Sequence, residues 1–168
     1  MKKLLGILAL VALSACQQNK IGFVDYAELM NQYEAKKTLE SKFQGRAQAL
    51  AQRRDSISQA FQFEAQNLQT KSRTMSQTQA QEEYNALQQR GQLIGGQLQQ
   101  EEQRIQQQGQ QQMDTLILKV KERIGAYGKA NGYQYILAGG EGGTVLYGDS
   151  AEDLTDVILK LLNDEYKP

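Results

Sequence analysis

The chain has 168 residues, 19 Lys+Arg against 19 Asp+Glu, no His, no Trp, one Cys and one Pro. One domain of ordinary size fits this length. The missing His removes the commonest general base and metal ligand, and a lone Cys excludes an internal disulfide or a thiolate metal cluster. The 27 Gln, with abundant Ala, Glu and Lys and a single Pro at position 168, leave almost the whole chain free to be helical, which points away from an enzyme and towards an elongated helical protein.

Residues 1–15 read as an export signal: a basic start at Lys2 and Lys3, a short apolar run from Leu4 to Ala12, and small residues before Cys16. About ten apolar residues are too few to span a bilayer, which takes roughly 20. Leu13-Ser14-Ala15-Cys16 resembles the bacterial lipobox, in which the Cys is lipidated and becomes the mature N-terminus. Cleavage there removes two Lys and leaves 17 basic against 19 acidic residues, a net charge of −2. Several acyl chains, at about 0.8 kcal/mol per buried CH₂, anchor a protein stably. Gln17 after the Cys favours the outer membrane by the enterobacterial sorting rule. Residues 16–20 are then a lipidated tether.

Ile21 to Val24 reads as a strand with Ile21 and Phe23 on one face, and Asp25 can cap the helix that follows. From Tyr26 to Ser72 only Gly45 opposes a helix. Leu29, Tyr33, Phe43, Ala47, Leu50, Ile57, Phe61, Leu68 and Met75 form a heptad-like seam, interrupted by Lys36, Glu40, Arg54, Glu64 and Lys71. A turn is expected near 72–77. Helical spacing resumes at Gln77 and runs to Ala130 through Tyr84, Leu87, Ile94, Leu98, Ile105, Met113, Leu116, Val120, Ile124 and Tyr127, and Asn131-Gly132 stops it. Arms of roughly 70 and 80 Å, at 1.5 Å per residue, nearly match. A turn at Gly91–Gly96 would leave the flanking strands about 45 Å apart.

Tyr133 to Ala138 has strand composition, Gly139 to Gly143 is a loop, and Thr144 to Tyr147 is the second limb of a hairpin. Asp149 or Ser150 opens a last helix, as a capping box with Glu152 or Asp153, whose stripe is Leu154, Val157, Ile158, Leu161 and Leu162. Residues 21–25 and 131–168 thus make a small β head, and 26–130 a helical hairpin. Such a head buries too little surface to stand alone and has open sheet edges. Both deficits are relieved when chains pool their strands. The expected class is α+β: a long antiparallel helical hairpin projecting from a β head that trimerisation completes.

Ile21-Gly22-Phe23-Val24-Asp25, Tyr135-Ile136-Leu137, and Leu146-Tyr147-Gly148-Asp149 leading to Asp153-Leu154-Thr155 resemble the Skp (OmpH) family of periplasmic chaperones. The resemblance covers about residues 21–166. It implies three chains sharing a β head, with helical tentacles around a cavity that holds unfolded outer-membrane proteins without ATP. Well-known Skp proteins are soluble and strongly basic, whereas this chain carries a lipobox and a sequence pI near 6.3. Its basic excess is confined to 36–73, with eight basic residues against three acidic; 74–113 has two against four. Electrostatic capture of acidic partners is therefore expected to be weaker.

On that resemblance Ile21, Phe23, Val24, Tyr135, Leu137, Val145 and Tyr147 are the candidate trimer-head residues. The off-seam Leu39, Phe63 and Leu93 either pack the helices or form a weakly apolar wall, and join Phe61, Leu68, Met75, Tyr84 and Leu87 as candidate client contacts. Gln side chains offer donors and acceptors to exposed backbone. Gly91, Gly95, Gly96 and Gly109 permit close helix approach, a flexible joint (Gly91, Gly95 and Gly96) or a helix break. The loop 139–143 lacks the Lys-Ser/Thr pair of a phosphate loop, and Glu82-Glu83 and Glu101-Glu102 point apart on a helix. No catalytic residue, cofactor, metal, nucleotide or nucleic acid is expected. The protein reads as a periplasmic holdase, lipid-anchored to the outer membrane; a lipid-anchored coiled-coil spacer or adaptor of the envelope is the alternative.

Overall fold

The computed structural model describes residues 20–167; the leader, Cys16 and most of the tether lie outside the described residues. The elements are β1 (Ile21–Asp25), α1 (Tyr26–Gln32), α2 (Glu34–Lys71), α3 (Gln77–Ala130), β2 (Tyr135–Gly139) and α4 (Thr155–Glu165), with 3-10 turns at Ser72–Thr74 and Ser150–Glu152. Two compact units result. Lys36–Leu116 form a helical hairpin unit. The described residues up to Ala35 and from Ile117 onward form a head unit.

In the head, β1 and β2 pair in parallel, with Ile21 opposite Tyr135, Phe23 opposite Leu137 and Val24 opposite Ala138. A parallel pair needs a long crossover, and the helices supply it. Val24, Leu29, Val120, Leu154, Ile158 and Leu162 are the most deeply buried apolar residues of this unit. Gly22 is required by close packing: a Cβ there would sit 2.7 Å from the Leu154 side chain. The Leu154 N–H donates to the Phe23 carbonyl at 2.8 Å, which ties the start of α4 to the outer edge of β1.

Three expectations change. The first helix is not continuous from Tyr26 to Ser72. Tyr33 is extended (φ −69, ψ 118) and its side chain is buried edge-on against Tyr166. The Asn163 side chain accepts the Glu34 N–H at 3.0 Å, so α2 starts with a cap from a distant helix, invisible to local reading. The second change concerns Thr144–Tyr147, which is not a strand. The N–H groups of Thr144 and Val145 both reach the Ala138 carbonyl, at 2.8 and 3.1 Å, closing a tight loop where a ladder would need successive partners along β2. Among the described residues the sheet therefore has two strands.

Third, the last helix begins at Thr155, and neither expected capping box forms. Asp149 caps the 3-10 turn through the Ala151 N–H, and Asp153 accepts the Thr155 N–H at 2.9 Å. Its buried stripe is Leu154, Ile158, Leu159 and Leu162, while Val157 is 44% exposed. On β1, Gly22 and Val24 face inward, and Ile21 and Phe23 share the other face, as the sequence pairs them.

The hairpin unit follows the seams closely. α3 spans Gln77–Ala130, the extent that the spacing predicts, and passes through Gly91–Gly96 without a break. It starts with a capping box overlooked in the sequence: the Gln79 N–H reaches Ser76 Oγ at 3.3 Å, and Gln79 Oε1 accepts the Ser76 N–H at 3.4 Å. Leu50, Leu98 and Ile105 are buried at the centre, with Phe43, Ile57 and Ile94 packed against them.

Thr155 is the one polar residue buried in the described core. Its hydroxyl accepts the Asp25 N–H at 2.8 Å and donates to Asp153 Oδ1 at 2.6 Å. Thr155→Val keeps the shape but strands the Asp25 N–H and removes one of the two bonds to Asp153 Oδ1, which still accepts the backbone N–H of position 155, so it is expected to cost about 1–3 kcal/mol. Chemical denaturation checks this, and a loss under 0.5 kcal/mol, roughly the scatter of neutral surface changes, would remove the hydroxyl from the account.

Candidate functional site

The seam of the hairpin unit is thin, and charges complete it. Arg53 pairs with Glu101 at 2.9 Å, Arg54 with Glu102 at 2.8 Å, and Arg90 with Glu64. Arg46 donates to the Gln108 side chain at 2.8 Å. The charges that interrupt the seam pattern at Arg54 and Glu64 are thus cross-links between helices. Lys36 instead pairs along its own helix with Glu40. The Arg90 hydrogen bond and charge hold the Glu64 carboxyl below its ordinary range. That contribution is present above the unfolded Glu range and is lost as pH falls through the lowered value.

Two aromatic rings lie over glycines. A Cβ on Gly109 would be 3.4 Å from the Phe43 ring, and one on Gly91 would be 3.5 Å from Phe61. Arg46 covers Phe43 and Arg90 covers Phe61, each 5.3 Å from the ring centroid. Gly91 and Gly109 therefore serve close helix approach. Gly95 and Gly96 have open space where a Cβ would be, so packing gives no reason for glycine there.

The candidate client contacts divide. Phe61 and Leu68 are turned into the hairpin: Phe61 sits on Gly91, and Leu68 is 7% exposed. Leu68 fills the seam, and the Phe61 ring is half-buried against Gly91. Phe63 and Leu93 are 67% and 63% exposed, and Tyr84 is 40% exposed. Leu39, Met75 and Leu87 are half-buried. Leu68, Met75 and Leu87 come together in a cleft of about 340 Å³ beside the turn, rimmed by Lys71 and Glu83.

The candidate head residues divide likewise. Val24 belongs to the chain's own core, at 2% exposure. Ile21, Phe23, Tyr135 and Leu137 share the opposite face of the sheet. With Val145 and Tyr147, Ile21, Phe23 and Leu137 line a trough of about 520 Å³. Leu146, fully exposed beside Tyr147, belongs to the run that carries the family resemblance but is not among the head residues named from the sequence. The regular alternation of a hairpin limb would have tucked one of the two away, and the limb does not form. Among the described residues no group of His, Cys, Asp or Glu could hold a metal, and no helix is long and apolar enough to cross a membrane.

The parallel pair, the two long helices and the closing helix are a known arrangement. The family model described as outer membrane protein (OmpH-like) matches residues 20–162. The chain belongs to that family. A crystal structure from Caulobacter crescentus, of an OmpH-like protein proposed to be an outer membrane chaperone, superposes with a TM-score of 0.77. The match covers 89% of this chain and 86% of that one at 16% identity, which establishes a common fold. No curated protein matches the chain significantly.

The inward and outward rings separate two effects. Phe61→Ala is expected to destabilise the hairpin by roughly 1–2 kcal/mol, part of what full burial of such a ring contributes. Phe63→Ala should stay within about 0.5 kcal/mol, as ordinary surface changes do. Urea titrations of the two variants check the contrast; equal losses would contradict the facing described. Gly95→Ala with Gly96→Ala should raise stability, by up to about 1 kcal/mol per site, and a lowered melting temperature would show a constraint on those glycines that the packing does not contain.

Proposed function

We propose that the protein is an ATP-independent holdase for unfolded outer-membrane proteins, working as a homotrimer in the periplasm and lipidated at Cys16. One observation carries the reading: the hairpin fills its own seam and still leaves Phe63, Leu93 and Tyr84 outside, spread along glutamine-rich helices. Dispersed single apolar residues hold many sequences weakly; a deep pocket would select one. Glutamine amides add donors and acceptors for the unpaired backbone of an unfolded chain. Membership of the OmpH-like family and the shared fold agree with a chaperone role.

Binding of this kind draws on apolar burial more than on charge. The basic excess at 36–73 is partly spent within the hairpin, where Arg53 and Arg54 already face Glu101 and Glu102. Capture of clients should therefore depend only modestly on salt. The head supplies the reason to assemble. Ile21, Phe23, Leu137, Leu146 and Tyr147 present an apolar surface on a unit with an open strand edge at β2. A second and third copy, each contributing its 144–147 segment, would cover that surface and extend the sheet. Bringing three hairpins together also multiplies weak contacts with one client.

The test is direct. The mature chain carrying Cys16→Ser should suppress light scattering when a urea-unfolded β-barrel protein is diluted into buffer, without nucleotide. No suppression at stoichiometric excess would leave the envelope spacer as the better reading. Leu146→Asp with Tyr147→Asp should convert a trimer into a folded monomer in sedimentation; a parent chain that sediments as a monomer would contradict the shared head.

A further inference from the structure

The two ring-over-glycine contacts are one arrangement occurring twice. On α2 the rings are Phe43 and Phe61, and on α3 the glycines are Gly109 and Gly91, so both helices advance 18 residues between contacts. Eighteen residues are about five full turns at 3.6 per turn, so the same face returns. The polar partners repeat in the same places. Three residues after each ring stands Arg46 or Glu64; one residue before each glycine stands Gln108 or Arg90. Arg46 bonds Gln108, and Glu64 bonds Arg90. The sequence echoes this spacing: Phe43-Gln44 and Ala47-Gln48 against Phe61-Gln62 and Ala65-Gln66, and Gly91-Gln92 against Gly109-Gln110.

An apolar seam alone would fix this register weakly. Lengthwise sliding of two helices by one turn replaces one aliphatic contact with another. A ring over a glycine is different. It needs a gap on the facing helix: a slip of one turn one way sets the rings on Leu87 and Ile105, and the other way sets Phe61 on Gly95 but Phe43 on Met113, so both rings find a gap together in one register only. The adjacent hydrogen-bonded pair adds a second condition that a slipped hairpin fails to meet.

We propose that this clasp, a Phe on one helix over a Gly on the other with the flanking polar pair, sets the register of the hairpin. Its 18-residue repeat makes hairpin length a modular quantity that determines how large a client the protein holds. The part concerning clients rests on the holdase reading. One module per helix alters the hairpin by about 27 Å at 1.5 Å per residue. The splice matches at every clasp. With a second copy of 44–61 placed after Phe61 and a second copy of 91–108 placed after Gln108, each ring again meets a glycine. Each polar position likewise meets its proper partner, Arg with Gln or Glu with Arg.

The experiment compares three full-length chains: the parent, this paired duplication, and a control whose two copies are 16 residues long. The control turns the distal faces by about 160°, at 100° per residue. The in-phase chain should unfold in a single transition at or above the parent's midpoint, and the control should unfold earlier or in two steps. Equal cooperativity and midpoint for the two duplications, or misfolding of the in-phase chain, overturns the clasp as the register device. With clients, the in-phase chain should reach full suppression of a large β-barrel precursor at half the parent's molar ratio or less, and leave the ratio for a small precursor unchanged. An unchanged ratio for the large precursor overturns the link to client size. A parent that suppresses neither precursor defeats the holdase reading and the size claim together, while the unfolding comparison still decides the clasp.

Discussion

β1 and β2 lie side by side and parallel, and everything between Asp25 and Tyr135 is the connection that this pairing demands. A parallel pair cannot be closed by a tight turn. The chain must leave β1, travel, and come back to start β2 in the same direction. Here the return is made by α2 and α3, so the small sheet is possible only because two very long helices end where they began. The absence of proline from both helices and the turn at Ser72–Thr74 are consequences of that constraint. The contacts that close the head follow from it too: Leu154 bonded to β1, and Thr155 bonded to Asp25 and Asp153.

Long helices of this composition have little with which to hold each other. Leu50, Leu98 and Ile105 supply a short apolar centre, and ion pairs half open to solvent add little to it. The hairpin economises by letting one residue serve two purposes: Arg46 and Arg90 each cover a ring and bond across the helices. A lean seam leaves other apolar side chains outside. In a solubility-optimised helix Phe63 and Leu93, both exposed, would be errors; on the proposed holdase reading they are the surface offered to clients. The head shows the same economy, with an exposed apolar face whose cover would come from other copies.

Much of this was legible in the sequence, for reasons that can be named. The extent of α3 was, because a long apolar repeat and the Asn131-Gly132 stop are both local signals. The turn was, because arm lengths must balance if the strands are to meet. The break at Tyr33 was not. Nothing near Tyr33 opposes a helix, and the cause lies in Asn163 and Tyr166, far away in sequence. The strand assigned to Thr144–Tyr147 had the right composition, but composition does not tell whether a partner edge exists within one chain. The shared face of Ile21 and Phe23 was legible from strand alternation; the packing of Gly22 on Leu154 was not, because it is the missing side chain that admits Leu154. The seam position of Phe61 was legible. That its ring lies against Gly91 is seen only in the structure.

The central claim is that clients are held on the outward apolar residues of the hairpin and not on its seam. Photo-crosslinking tests it directly, with a photoreactive amino acid placed in turn at Phe63, Leu93, Phe61 and Leu50, in the presence of an unfolded β-barrel protein. The account predicts strong adducts from positions 63 and 93 and little from 61 and 50. Equal labelling at all four positions, or labelling from the seam alone, would contradict it.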